Sequence, residues 1–125
     1  MNILVIAEHD NNELKSSTLN TITAAHKLSA DIDVLVAGSE VAEVSKQAAA
    51  IENIKSVISV DDPIYKNFLA EDFGNLVASM GDQYSYILAP ATTFGKNFLP
   101  RVAAKLDVQQ TVSYTHLRAH ETEYD

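Results

Sequence analysis

Apolar residues arrive along this chain in two alternating rhythms. In NILVIAE (Asn2–Glu8) they form a continuous run, the pattern of a strand covered on both faces and not of a sheet with one wet side. IDVLVAG (Ile32–Gly38), KSVISV (Lys55–Val60) and SYILAP (Ser85–Pro90) repeat it, rich in β-branched or aromatic residues and ending at glycine, proline or beside aspartate. Between these runs the apolar positions fall three or four apart, the period of a helix. Leu14, Thr18, Ile22, Ala25 and Leu28 or Ser29 mark a helix over Glu13–Ser29, and Val41, Val44, Ala48 and Ile51 mark one over Glu40–Glu52. Phe73, Leu76, Val77 and Met80 mark a third over Glu71–Met80, and Phe98, Leu99, Val102 and Leu106 a fourth after Phe94. Pro100 fits the fourth only within a first turn, so that helix is expected to begin near Asn97.

The predicted order is βαβαβαβα. It specifies an α/β fold with a parallel sheet, right-handed crossovers and helices on both faces. Ligands of such sheets gather beyond the carboxyl ends of the strands. That selects Glu8–Asn11, Gly38–Ser39, Asp61–Pro63 and Ala91–Lys96 for scrutiny.

With 125 residues the chain is one domain, and 46% hydrophobic with 21% charged residues is ordinary for a globular protein. The formal charge of −8 argues against nonspecific binding to nucleic acid or to an anionic membrane face. Cysteine is absent, which removes disulfides, thiolate nucleophiles, zinc–thiolate sites and cysteine-ligated iron–sulfur clusters. No run approaches the length of a membrane span. MNILVIAEHD has an acidic border and no cleavage-like segment, so it does not read as a signal peptide. A cytoplasmic bacterial protein, without direct membrane insertion, is the expectation.

Two constellations could carry chemistry. PATTFGKN (Pro90–Asn97) joins a strand to a helix, and its amides, Thr92, Thr93, Gly95 and Lys96 could hold a phosphate. It has neither G-x-G-x-x-G nor a P-loop, and the plainer reading is a turn whose glycine sits where a Cβ would clash. The second set is acidic: Glu8 and Asp10, then Asp61 and Asp62, with Thr92 or Thr93 after the fourth strand. Such carboxylates could hold Mg²⁺ with one as phosphate acceptor, as in receiver-like signalling domains, although the further strand ending in lysine is missing. Solvated caps are the plainer reading. His9 and His26 stand apart, His26 on a helix surface or boundary, and Tyr84 and Tyr86 flank a strand as packing residues. No nucleophile, base and orienter stand together, so no catalytic, cofactor-binding or metal-binding residue is assigned.

LVIAEHDNNELKSSTLNTITAAHKL (Leu4–Leu28) and FGKNFLPRVAAKLDV (Phe94–Val108), with LVAG (Leu35–Gly38) and YILAPATTFGKN (Tyr86–Asn97) between them, resemble the amino-terminal domain of the electron transfer flavoprotein alpha subunit. The likeness covers roughly residues 1–110 and implies a Rossmann-like, adenine nucleotide alpha hydrolase-like domain. It implies a noncatalytic electron-carrier subunit of a heterodimer with a beta subunit. That heterodimer takes electrons from acyl-CoA and related dehydrogenases, as in fatty acid beta-oxidation, and passes them through a quinone oxidoreductase to the respiratory chain. FAD does the redox chemistry. The resemblance places most alpha-subunit FAD contacts in a carboxyl-terminal domain beyond residues 1–111, so this chain is expected to bind no FAD tightly.

Val112–Asp125 reads differently. VSYTHLRAHET (Val112–Thr122) is similar to the translation of a transposon-type sequencing adapter. On that reading residues 1–111 are a partial alpha-subunit domain, incomplete at its carboxyl end, and 112–125 are a loosely packed, non-native tail. His116 and His120, four apart with Glu121 beside them, would then be no metal site. Setting aside Arg118, Glu121, Glu123 and Asp125 leaves 8 basic and 14 acidic residues, a charge of −6.

Overall fold

The strand runs at the sequence level become a single parallel sheet. The computed structural model describes residues 2–106 and 112–115. In chain order these form β1 (Asn2–Ile6), α1 (Ser16–His26), β2 (Asp31–Gly38), α2 (Ala42–Ala49), β3 (Ser56–Asp61), α3 (Ala70–Gly81), β4 (Tyr86–Pro90), α4 (Thr93–Leu106) and β5 (Val112–Thr115). A 3₁₀ turn, Pro63–Tyr65, lies between β3 and α3. The strands stand in the order β3-β2-β1-β4-β5, and every pairing is parallel.

β1 is paired on both edges, Ile3 facing Ile32 of β2 and Tyr86 of β4. Successive side chains of a strand point to opposite faces, so β1 feeds two cores. Ile3, Val5 and Ala7 join Val34 and Val36 of β2 under Ile22 and Ala25 of α1 and Val44 and Ala48 of α2. Leu4 and Ile6 join Leu35 and Ala37 under Phe73 and Val77 of α3 and Phe98, Leu99 and Val102 of α4. The continuous apolar runs are therefore two half-patterns interleaved, and the helices cover both faces as expected.

Three features depart from the sequence reading. β3 is an edge strand, and none of its residues is fully buried. α4 begins at Thr93 and not near Asn97, which leaves Pro100 inside the helix. Pro100 and Lys96 both lie on the exposed side of α4. The Lys96 carbonyl that loses its i+4 partner there can turn to water, which is why the helix tolerates a proline at this position.

The third departure is β5. Val112–Thr115 was expected to be loosely packed, yet it pairs in parallel with β4, Ile87 facing Val112 and Pro90 facing Thr115. An unpaired edge of a sheet is a template for any extended segment, and V-S-Y-T is rich in residues suited to a strand. Strand pairing of this kind follows from composition whatever the origin of the segment. His116, His120 and the rest of residues 116–125 lie outside the described residues, as does the Leu106 side chain.

Gly95 sits where α4 presses on the end of β4. A Cβ at this position would run into the Pro90 carbonyl oxygen, so the backbone itself excludes any larger residue. Gly95→Ala should therefore destabilise the fold by about 2–3 kcal/mol through overpacking, read as a lower urea midpoint at unchanged slope. An unchanged midpoint would mean that the first turn of α4 lifts off β4 without cost.

Candidate functional site at the sheet's switch point

The chain winds from β1 to β2 to β3 in one direction, then crosses back to lay β4 on the other side of β1. The carboxyl ends of β1 and β4 are therefore the switch point, where open α/β sheets place ligands. An open groove of about 280 Å³ lies there, lined by Glu8, His9, Asp10, Lys15, Phe68, Phe94 and Asn97. Sequence reasoning selected Glu8, His9, Asp10 and Phe94 from the strand ends. It missed Phe68, which comes from the connection after β3 and reaches the groove through a left-handed backbone at φ 56°.

Glu8 leaves β1 between two helices. Its carboxylate Oε1 accepts the Ser17 hydroxyl of α1 at 2.6 Å and the Thr92 hydroxyl before α4 at 3.0 Å. Its backbone amide donates to the Thr18 hydroxyl, which in turn donates to the Glu8 carbonyl. Asp10, fully exposed, accepts the amides of Glu13 and Asn12, and these hold its carboxyl below the usual range. The two carboxylates thus fasten loops.

His9 is 3% exposed and sits against Phe68 edge to face, ring centroids 5.2 Å apart. Its Nε2 lies 2.8 Å from the Ala37 carbonyl, and the Asn11 amide donates to its Nδ1 at 2.9 Å. A backbone amide can only donate, so Nδ1 carries the lone pair and Nε2 the proton. Burial lowers the His9 pKa, against the pull of the Ala37 carbonyl, Asp10 and Glu8. Gly38 makes room for it: a Cβ there would lie 2.7 Å from His9 Cε1 and 2.6 Å from Asn11 Oδ1.

The acidic constellation does not assemble. Asp61, at the end of β3, turns both oxygens to the start of α2, accepting the amides of Glu40 at 2.7 Å and Val41 at 3.3 Å. Asp62 accepts the Ile64 amide and caps the 3₁₀ turn. β2 lies between β1 and β3, so the strands bearing Glu8 and Asp61 are separated by two strand spacings, roughly 10 Å. In the 2-1-3-4-5 order of receiver-type sheets those strands are neighbours. The receiver-like reading is thereby corrected by strand order, which local sequence does not encode.

The phosphate reading of Pro90–Asn97 fares no better. Gly95 is needed for the contact of α4 with β4, the Thr92 hydroxyl is committed to Glu8, and a carboxylate beside the turn repels an anion. FAD, implied for the parent by resemblance, would need space for its pyrophosphate at a glycine-rich first turn. Here that turn is Glu8-His9-Asp10-Asn11, and His9 and Asn11 fill the approach over Gly38. The residues at the switch point do not fit the dinucleotide.

Elsewhere the polar side chains are structural. His26, on the exposed side of α1, bonds the Asn53 carbonyl at 2.9 Å. The Tyr84 hydroxyl donates to Asp33 at 2.7 Å, and burial and then Asp33 push its pKa well up. The bond was not legible in the sequence, since Asp33 and Tyr84 are 51 residues apart. Tyr86 is half-buried against the α1–α2 core. Among the described residues no group of three metal-ligating side chains stands together.

Asp61→Ala should lower stability by about 1 kcal/mol, the usual cost of losing a helix cap. Incubation of the wild type with Mg²⁺ and a small phosphodonor should leave the protein's mass unchanged. A phosphorylated Asp61 in the mass spectrum would restore the receiver-like reading.

Comparison with known proteins settles the lineage. The family described as "Electron transfer flavoprotein domain" matches residues 3–123. That match extends past residue 110, where the likeness read from the sequence ends. The electron transfer flavoprotein subunit alpha of Pseudomonas aeruginosa is 54% identical over 110 residues, 88% of this chain and 36% of that protein. The mitochondrial subunit alpha of Dictyostelium discoideum is 46% identical over 127 residues, 95% of this chain and 36% of that protein. The subunit alpha of Paracoccus denitrificans is 38% identical over 108 residues, 86% of this chain and 35% of that protein. The chain thus spans about a third of the length of these relatives. With the family match running from β1 past β5, the chain belongs to the electron transfer flavoprotein family and is a fragment of the amino-terminal domain of its alpha subunit.

Proposed function

We propose that this chain is the part of an alpha subunit that builds the heterodimer with a beta subunit, and that it is not itself catalytic. The observation that carries this reading is the span of the match: the relatives cover nearly all of this chain, and the chain only a third of them. The parent takes electrons from acyl-CoA and related dehydrogenases on FAD and delivers them through a quinone oxidoreductase to the respiratory chain. The domain supplies a rigid two-core platform. Cofactor contacts fall to the remainder of the parent, in keeping with a switch point filled by His9 and Asn11. No helix among the described residues is long and apolar enough to cross a membrane.

Residues 112–125 are, in this reading, adapter-derived sequence joined to a partial gene, and Val112–Thr115 completes the sheet only because β4 offers an edge. A DNA read across codon 111 in the source genome tests this directly. The expected frame continues into a further strand and a flavin domain; a genome encoding Val112–Asp125 would show that the tail is native.

The complete gene product, co-expressed with a beta-type subunit, should copurify with it and carry stoichiometric FAD, while the 125-residue chain should purify without yellow flavin absorbance. Stoichiometric flavin on the short chain would overturn the assignment of cofactor contacts to the rest of the parent.

A further inference from the structure

We propose that His9 is a proton-sensitive latch: neutral, it clasps the loops after β1 and β2 to the segment before α3, and protonated, it releases them. The proposal stands on the commitments of a buried ring. Nε2–H is spent on the Ala37 carbonyl and the Nδ1 lone pair on the Asn11 amide, so both nitrogens are in use in the neutral form. A second proton on Nδ1 would point at an amide hydrogen. The two donors cannot share that 2.9 Å contact, and either Asn11 or the imidazolium must move.

Neither can move alone. Asn11 is held at φ 73°, and its side-chain oxygen accepts the Ser39 amide at 3.0 Å while its amide group donates to the Lys66 carbonyl at 3.2 Å. One side chain therefore ties the β1 loop to the β2 loop and to the segment before α3. Phe68 in that segment rests edge-on against the His9 ring, also at a positive φ. The His9 ring and the Asn11 side chain both occupy the volume that a Cβ on Gly38 would take, so the two lie together against the β2 end. Displacing one member disturbs all three connections, whereas His9 and Asn11 belong to neither of the two cores beneath, and of the latch only Phe68 packs against one of them.

The surrounding charges set the direction of the switch. Glu8 and Asp10 flank His9 in the chain and favour the imidazolium. Lys15 is the one cation lining the same groove among the described residues. From β2 the ring meets the Ala37 carbonyl and Gly38, from the segment before α3 it meets Phe68, and the α4 wall of the groove is Phe94 and Asn97. None of these ionises near neutrality. Burial outweighs the carboxylates, so the closed ring accepts its proton below the ordinary 6.5, while the released ring accepts it near that value. The closed state is thus fully favoured above pH 6.5 and loses stability as the pH falls from there to the closed-state pKa.

Amide hydrogen exchange on the protein in the assembly in which it is isolated, corrected for intrinsic rates, tests the latch. Below pH 6.5 the opening equilibrium of segments 9–15, 38–41 and 62–69 should rise by about tenfold per pH unit, in step with the NMR titration of the His9 ring. Amides pairing β1 with β2 should keep their protection. His9→Gln should abolish the pH dependence in all three segments, and His26→Gln should leave it intact. Constant protection down to about pH 5, the same slope in His9→Gln, or simultaneous loss across the whole sheet would each overturn the proposal. Should His9→Gln fail to fold, the wild type decides: a His9 midpoint that does not coincide with loss of protection overturns the latch.

Discussion

Everything in this domain hangs on the double burial of β1. Five residues long, it is hydrogen-bonded on both edges and covered on both faces, so its alternate side chains nucleate two separate cores. A polar residue at Ile3, Leu4, Val5 or Ile6 would place an unpaired group at the centre of one core. The same strand fixes the place of the groove, because pairing β1 with both β2 and β4 is what creates a switch point at its carboxyl end.

The residues beyond β1 then face a problem of closure. A switch point left open would expose strand-end carbonyls and apolar helix ends, and in many α/β proteins a ligand covers them. Here the chain covers them itself. Glu8 takes hydroxyls from α1 and from the start of α4, His9 takes the Ala37 carbonyl, and Asn11 bridges two loops. Phe68, Phe73, Phe94 and Phe98 form a continuous run of edge-on and tilted rings from the groove into the α3–α4 core. Such a site is ill suited to holding a dinucleotide. Two positive-φ residues, Asn11 and Phe68, show where backbone strain is spent to hold the cover in place.

Small residues make these contacts feasible by absence. Gly38 and Gly95 both have negative φ, so neither is required for its backbone conformation. Each is there because another group occupies the volume of its Cβ: the His9 ring and Asn11 side chain in one case, the Pro90 carbonyl in the other. Gly74 plays a milder version of this part, letting α3 approach Arg101 of α4.

The alternation of apolar runs and helical periods determined the α/β class, four of the strands and all four helices, because burial on two faces and on one stripe leaves different local patterns. The motifs around Gly95 also revealed the lineage, and even the reason for that glycine. Strand order was decided only by the tertiary structure. Nothing local to Glu8 or Asp61 states that β2 will lie between them, since that depends on which edges remain free when each strand docks. The start of α4 at Thr93 was equally hidden, because Pro100 is tolerated only on a solvent-facing side that packing selects. The bonds of His9 to Ala37 and of Tyr84 to Asp33 span 28 and 51 residues, and no periodicity encodes such distances. Local patterns are written by the solvent each side chain must face; long-range partners are written by the sheet that brings them together.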